Sequence, residues 1–195
     1  MTERRTAILD AALACFLEHG VAGAGIEQVC ARSGASVGSV YHHFGGKDGL
    51  AGAVFTEAMA DYQVSFLAAL RRHPDDARAG VRAAVREHLR WCLRRHPERA
   101  RFLLFHGDAA RAAGAERLAE LNREFFASVL AWWRPHVRYG ALRELDLDLA
   151  YALWLGPALE YCRLRLAGRT RVAPARAERA LADGAWQALR SPEGA

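Results

Sequence analysis

The side chains best suited to hold an anion lie within residues 26–50, IEQVCARSGASVGSVYHHFGGKDGL. Lys47 is the only lysine in a chain whose other basic residues are all arginine. An ammonium at a helix start adds its charge to unpaired N–H groups and the positive end of the helix dipole, a ready site for phosphate. Tyr41 and His42, on the exposed side of the preceding segment, offer a hydroxyl and an imidazole that can donate to phosphates flanking a groove. Ser36, Val37, Gly38 and Ser39 are small enough to let a helix approach a groove floor. Ser39 can hydrogen-bond a base there, and Val37 can touch a thymine methyl. Gln28 and Arg32 are the remaining polar groups that could reach in. Blander readings stand beside these: Lys47 as a solvated surface lysine, Tyr41 as a packing residue, His43 as surface near a hinge.

Such groups work together only if one helix is held across another. The spacing of Ile8, Ala12, Cys15 and Phe16 predicts a first amphipathic helix over Glu3 to His19, ended by Gly20. After the Val21 to Gly25 connection, Ile26 to Ser33 reads as a short helix with Ile26, Val29 and Cys30 inward. Gly34 supplies the positive φ of a turn and Ser36 caps a third helix, Val37 to Phe44. Val40 and Phe44, four residues apart, would close a three-helix core with Phe16 and Val29. That is the helix-turn-helix arrangement that inserts a helix into a DNA major groove. The third helix has no Arg, Asn or Gln for a bidentate base contact, so shape and phosphate register must contribute to specificity.

The residues also match a known family. Ala11-Ala12, Phe16 and Gly20, the Val29, Ser33-Gly34 turn, Val37-Gly38-Ser39-Val40-Tyr41-His42-His43-Phe44 and Lys47-Asp48-Gly49-Leu50 resemble the TetR family of bacterial transcriptional regulators. The resemblance covers the first sixty residues, about a third of the chain. It implies a reading head whose phosphate-contacting lysine is Lys47, a variable helical effector domain and a homodimer. Two positions depart from the pattern: Ala24-Gly25 stands where Ser or Thr is usual before the second helix, and Gly46 where a polar cap is usual. A glycine cap costs only a few tenths of a kcal/mol against a hydroxyl cap.

Downstream, a long helix from Lys47 to about His73 is expected, with Leu50, Val54, Ala58, Tyr62 and Phe66 on one face. Pro74-Asp75-Asp76 and His96-Pro97-Glu98 mark restarts. Further helices are expected to about Arg95, over Arg99 to His106, over Ala115 to His136 after a Gly107-Asp108 break, over Asp148 to Leu166 and over Pro174 to Leu189, with a frayed tail at Ser191 to Ala195. That makes about nine helices and no strand: an all-α chain with a helix-turn-helix DNA-binding domain over 1–46 and an effector-binding and dimerisation bundle over 47–190. The aromatic residues Trp91, Phe102, Phe105, Phe125, Phe126, Trp132, Trp133, Trp154 and Tyr161 individually suit core packing. Together with His88, His106, Asn122 and Glu160 they also suit an apolar pocket with a few orienting groups. From that set His88, Trp91, Cys92, Phe102, Phe105, His106, Asn122, Phe125, Phe126, Trp154 and Tyr161 are the candidate ligand-binding residues. His88 and Cys92, at i and i+4, could in principle hold a metal. With no nearby acidic pair or second His/Cys pair, a satisfied core histidine is expected and no metal or cofactor is assigned. The 148–166 helix, with Leu149, Ala152, Leu153, Leu155, Ala158, Leu159 and Cys162, is apolar on more than one face. Paired with 174–189, it would meet a symmetry mate in a four-helix interface.

Composition sets the outer limits. The chain has 195 residues and a formal net charge of +5, but residues 1–60 hold Arg4, Arg5, Arg32 and Lys47 against Glu3, Asp10, Glu18, Glu27, Asp48 and Glu57. Global basicity is therefore not the reason to expect DNA; the motif is. No stretch of about eighteen apolar residues suggests a membrane span, and the N-terminus lacks an export signal. The widely spaced Cys15, Cys30, Cys92 and Cys162 read as reduced, buried cytoplasmic thiols. The chain carries no nucleophile–base pairing and no phosphate-cradling glycine loop, so an enzyme is not expected. The expectation is a cytoplasmic, homodimeric, ligand-responsive repressor that binds a near-palindromic double-stranded operator and a small apolar effector, away from any membrane. The alternatives are a helical small-molecule-binding protein or enzyme with a vestigial head, and a constitutive DNA-binding protein.

Overall fold

The computed structural model describes residues 3–192, and residues 193–195 of the expected frayed tail lie outside the described residues. The fold is all-α. The helices are α1 (Glu3–Gly23), α2 (Ile26–Ser33), α3 (Val37–Phe44), α4 (Lys47–Arg71), α5 (Ala77–Arg90), α6 (Pro97–Phe105), α7 (Gly107–Ala113), α8 (Ala115–Arg138), α9 (Leu147–Leu166) and α10 (Pro174–Leu189). Among the described residues the only β-type pairing is an isolated bridge between Leu142 and Arg190.

Three local outcomes differ from the expectations. Gly107-Asp108 does not break the chain: it opens α7, which accounts for a tenth helix where nine were expected. The helix expected to reach Arg95 changes character at Trp91, where Trp91–Arg95 forms a π-helical turn closed by His96 N–H donating to the Trp91 carbonyl at 2.9 Å. Cys30, expected inward, is only half-buried. By length and hydropathy α1 alone among the described helices reaches the level of a membrane span. Its stripe of Ile8, Ala12, Cys15 and Phe16 is nevertheless buried in protein, as in a core helix.

The described chain forms two compact units. The first comprises the chain up to Asp61 together with Glu98–Leu121; the second comprises Tyr62–Pro97 and the chain from Asn122 onward. In the first unit Ile8, Phe16, Val29, Val40, Leu50 and Phe102 share one core, with Phe44 packed against it. Gly34 ends α2 in the left-handed region (φ 69°), and its N–H donates to the Cys30 carbonyl at 2.9 Å. Only glycine adopts that conformation without a Cβ penalty, so the tight turn rests on it. Phe102 of α6 stacks on Phe16 with ring centroids 5.8 Å apart, which brings a segment distant in sequence into the same core.

In the second unit Phe66 and Leu70 of α4, Val81, Val85 and Leu89 of α5, Val129 and Trp133 of α8, Trp154 and Leu155 of α9, and Leu189 of α10 are buried. Asp76 caps α5 by accepting from Ala79 N–H at 2.8 Å. Buried indoles need a partner for their N–H: Trp132 donates to the His73 carbonyl at 2.8 Å and Trp154 to the Val81 carbonyl at 3.0 Å.

The first unit depends on a close crossing. A Cβ on Gly52 of α4 would lie 2.9 Å from the backbone at Ala113 and Gly114, and no rotamer change relieves a clash with backbone. Gly52→Val should therefore lower the unfolding free energy by about 2 kcal/mol or more, since overpacking outweighs the helix-propensity gain of under about 1 kcal/mol. Urea unfolding checks this, and an unchanged midpoint would show that α4 does not cross this segment so closely.

Candidate DNA-reading head and small-molecule pocket

Helix α3 turns one face into the core through the fully buried Val40 and presents the other to solvent. Ser36 caps it, its hydroxyl accepting from Ser39 N–H at 3.2 Å. Val37 is 43 % and Tyr41 54 % exposed; Ser36, Gly38, His42 and His43 are also exposed, and Ser39 is half-buried. These residues form one contiguous surface of small, weakly polar groups at the start of the helix, with an aromatic hydroxyl and imidazoles further along.

The other expected contact residues are engaged within the head. Gln28 is exposed, and its side-chain oxygen accepts from Gly25 N–H at 2.8 Å, the reciprocal half of a capping box whose hydroxyl half glycine cannot supply. Arg32 pairs with Glu18 at 3.0 Å. That hydrogen bond holds the Glu18 carboxyl below its ordinary pKa and raises the Arg32 guanidinium. Lys47, at the start of α4, donates from Nζ to the Ala22 carbonyl at 2.8 Å, satisfying an acceptor near the end of α1. An ammonium has three donors, so two remain. Sequence reasoning did not identify Arg5, which pairs with Glu57 at 2.8 Å and lies over the Phe44 ring at 5.5 Å, fastening α1 to α4 and the end of α3. The only sequence signal was a basic residue in the first turn of an otherwise apolar helix.

The second unit contains a small pocket of about 30 Å³ with a wholly apolar accessible lining. Of the expected ligand-binding residues it is lined by Phe125, Phe126 and Trp154; the others are Phe66, Val129, Trp133, Leu147, Ala150, Tyr151 and Leu155. Helical periodicity would have found most of these, because Phe125, Val129 and Trp133 form one stripe of α8, and Leu147, Ala150, Tyr151, Trp154 and Leu155 one of α9. The remaining candidates lie elsewhere. Phe102 is a core residue of the first unit; Phe105 and His106 also group with that unit. Asn122 accepts from buried Gln63 at 2.9 Å, and Tyr161 donates to the Val172 carbonyl at 2.8 Å, pinning the connection before α10.

His88, Trp91 and Cys92 surround Tyr62 rather than line the pocket. The Tyr62 hydroxyl lies 2.9 Å from His88 Nδ1, and its ring meets Trp91 edge-on at 5.3 Å. Burial pushes the Tyr62 phenol well above its ordinary pKa, so it is neutral. Cys162, expected to serve packing alone, arrives from α9 beside His88 and Cys92. A hydrogen bond with Cys92, joined by His88, draws the Cys162 thiol down to about 6, while the same bond and burial push Cys92 up.

A sequence profile of bacterial regulatory proteins of the tetR family matches residues 8–54. The HTH-type transcriptional regulator BetI of Burkholderia thailandensis is 30% identical over 164 residues, 80% of this chain and 82% of that protein. The HTH-type transcriptional repressor SCO4008 of Streptomyces coelicolor is 29% identical over 141 residues, covering 72% of this chain and 66% of that one. In fold, the chain is similar to the transcriptional regulator FadR of Bacillus subtilis, solved in complex with stearoyl-CoA: TM-score 0.77, 14% identity, 95% of this chain and 99% of that one. With the exposed α3 face, the Gly34 turn and the α4 start already described, these likenesses identify the chain as a member of the TetR family of DNA-binding transcriptional regulators.

Proposed function

We propose that this regulator is a cytoplasmic, ligand-responsive repressor and not an enzyme, with residues 1–46 as its reading head and 47–190 as its sensing and dimerising part. The observation that carries this reading is the capped, outward-facing start of α3 on the same compact unit as Lys47. Ser36, Val37, Gly38 and Ser39 would meet base edges, with Tyr41, His42 and Lys47 on the flanking phosphates. Gln28 and Arg32 would have to leave their present partners to contribute, so they rank below Lys47. Members of the family bind DNA operators, act as dimers and respond to small-molecule effectors.

The dimer surface is the outer side of α9 and α10. In α9 the residues Leu155, Ala158 and Cys162 turn inward, whereas Leu149 and Ala152 are exposed and Leu153 and Leu159 half-buried. A Cβ on Gly156 or Gly184 would meet nothing within 4 Å, so both helices have small residues where a symmetry mate could approach closely. A twofold dimer would place its two reading helices about 34–36 Å apart, or a multiple of that, on a near-palindromic site.

The apolar pocket suits an apolar molecule or the apolar part of a larger one. Its Phe66 belongs to α4, the helix that begins at Lys47. A ligand there relieves repression only if it binds the DNA-competent and DNA-incompetent dimers with different affinity.

Five measurements test this reading. A gel shift on DNA adjoining the protein's own gene should show a salt-sensitive complex that a matching apolar effector releases; no complex at low salt would sink the regulator assignment for this chain. Lys47→Ala should weaken operator binding roughly tenfold, about one charge-assisted hydrogen bond of 1.5 kcal/mol, and reduce the salt slope by about one. Tyr41→Phe should weaken binding without changing thermal stability, and unchanged affinity in both variants would remove these phosphate contacts. Val129→Phe, which fills the pocket, should leave operator binding intact while the operator complex resists effector. Ala152→Arg should convert a dimer to a monomer in sedimentation and abolish operator binding, whereas a dimer unaffected by it would place the interface elsewhere.

A further inference from the structure

His88 of α5, Cys92 of the π-helical turn and Cys162 of α9 each offer one donor atom, and the three atoms lie within 4.8 Å of one another. His88 Nε2 stands 3.8 Å from Cys92 Sγ. All three residues are buried, at 5%, 4% and 0% exposure. Packing accounts for a buried cysteine as a small apolar residue. It does not by itself account for a thiol from α9 converging on a histidine and a second thiol one helical turn apart. The histidine's other nitrogen, Nδ1, is held by the Tyr62 oxygen at 2.9 Å. A metal-ligating imidazole almost always has such a partner, which fixes its tautomer and ring orientation. π-helical turns, too, are frequent at functional sites. We infer that His88 Nε2, Cys92 Sγ and Cys162 Sγ form a site for one thiophilic closed-shell metal ion, Zn(II) or Cu(I).

The donor set selects the ion. It holds two sulfurs and an imidazole and no carboxylate, which disfavours hard cations that require oxygen ligands. Glu87, next to His88 in sequence, is committed to Arg90 and Arg95. Bonds of about 2.3 Å to sulfur and 2.0 Å to nitrogen place tetrahedral donors roughly 3.5–3.8 Å apart. The His88–Cys92 distance of 3.8 Å is already in that range, and no separation within the set exceeds 4.8 Å. In the ligating form His88 carries its proton on Nδ1, donates to the Tyr62 oxygen and turns the Nε2 lone pair inward. Both thiols release their protons to solvent as the metal–sulfur bonds form. With Zn(II) the two thiolates leave the buried site uncharged, which suits its surroundings, and a fourth position stays open. With Cu(I) the three donors complete a trigonal set. Either ion would tie α5 and its π-helical turn to α9, and bound metal should raise the unfolding temperature.

The test uses the full chain, reduced with a phosphine and stripped by chelator. It is titrated with Co(II) as a spectroscopic stand-in for Zn(II) and, separately, with Cu(I) delivered from a competing chelator. The site predicts one ion per chain and thiolate-to-Co(II) charge-transfer bands that Zn(II) bleaches. Those bands should be about half as intense in Cys92→Ser or Cys162→Ser and unchanged in Cys30→Ser. X-ray absorption on the retained ion should show sulfur at about 2.3 Å and nitrogen at about 2.0 Å. Retention of Zn(II) against chelator assigns zinc, and retention of Cu(I) alone assigns copper. Neither ion held at one per chain, an oxygen-only shell, or bands that survive both serine substitutions would overturn the site. If the serine variants do not fold, the absorption shell of the unmodified chain decides alone.

Discussion

One helix, α4, has to satisfy two hydrophobic cores. Its first part buries Leu50, Ala51, Val54 and Phe55 in the first unit, and its second buries Phe66, Ala69 and Leu70 in the other. These demands set the helix's composition. Gly52 is bare because another segment crosses it at backbone distance. Thr56, which a helix interior tolerates poorly, directs its hydroxyl back to the Gly52 carbonyl at 2.9 Å. Gln63 is buried where the chain passes from one unit to the other and finds Asn122.

The reading head is electrostatically economical. Its cations mostly serve the protein itself: Arg5 holds Glu57, Arg32 holds Glu18 and Lys47 caps Ala22. Exposed pairs of this kind contribute little stability, typically under about 1 kcal/mol. They leave the exposed α3 face nearly neutral, with small residues at its start. Close approach, the helix N-terminus and duplication across a dimer then have to supply affinity that a basic patch would otherwise provide.

In the second unit the polar tips of three aromatic residues are tied to backbone carbonyls. The Trp154 indole N–H donates to Val81, the Trp132 N–H to His73 and the Tyr161 hydroxyl to Val172. Of these three only Trp154 lines the pocket, and with its N–H satisfied elsewhere it contributes ring carbon to the apolar lining. The imidazole and thiols expected to orient a ligand are instead gathered around Tyr62.

Local sequence was sufficient wherever chemistry acts between near neighbours. The three-helix head follows from the Ile8–Phe16 stripe, the Gly34 turn, the Ser36 cap and the Val40–Phe44 pair, each an interaction within about one or two helical turns. α9 and α10 were legible for the same reason, through periodicity and a Pro start. The joining of Phe102 to Phe16, the crossing of Gly52 over Ala113 and Gly114, and the arrival of Cys162 beside His88 were not legible. Sequence patterns show that a helix has an apolar face, but not which of several apolar faces it will meet; that choice depends on volume and shape across the whole packed core. The 26–50 motif thus determined by itself that this chain carries a DNA-reading head. Only tertiary packing decided which aromatic residues would enclose a pocket and which thiols would meet, because those contacts join segments the chain keeps far apart.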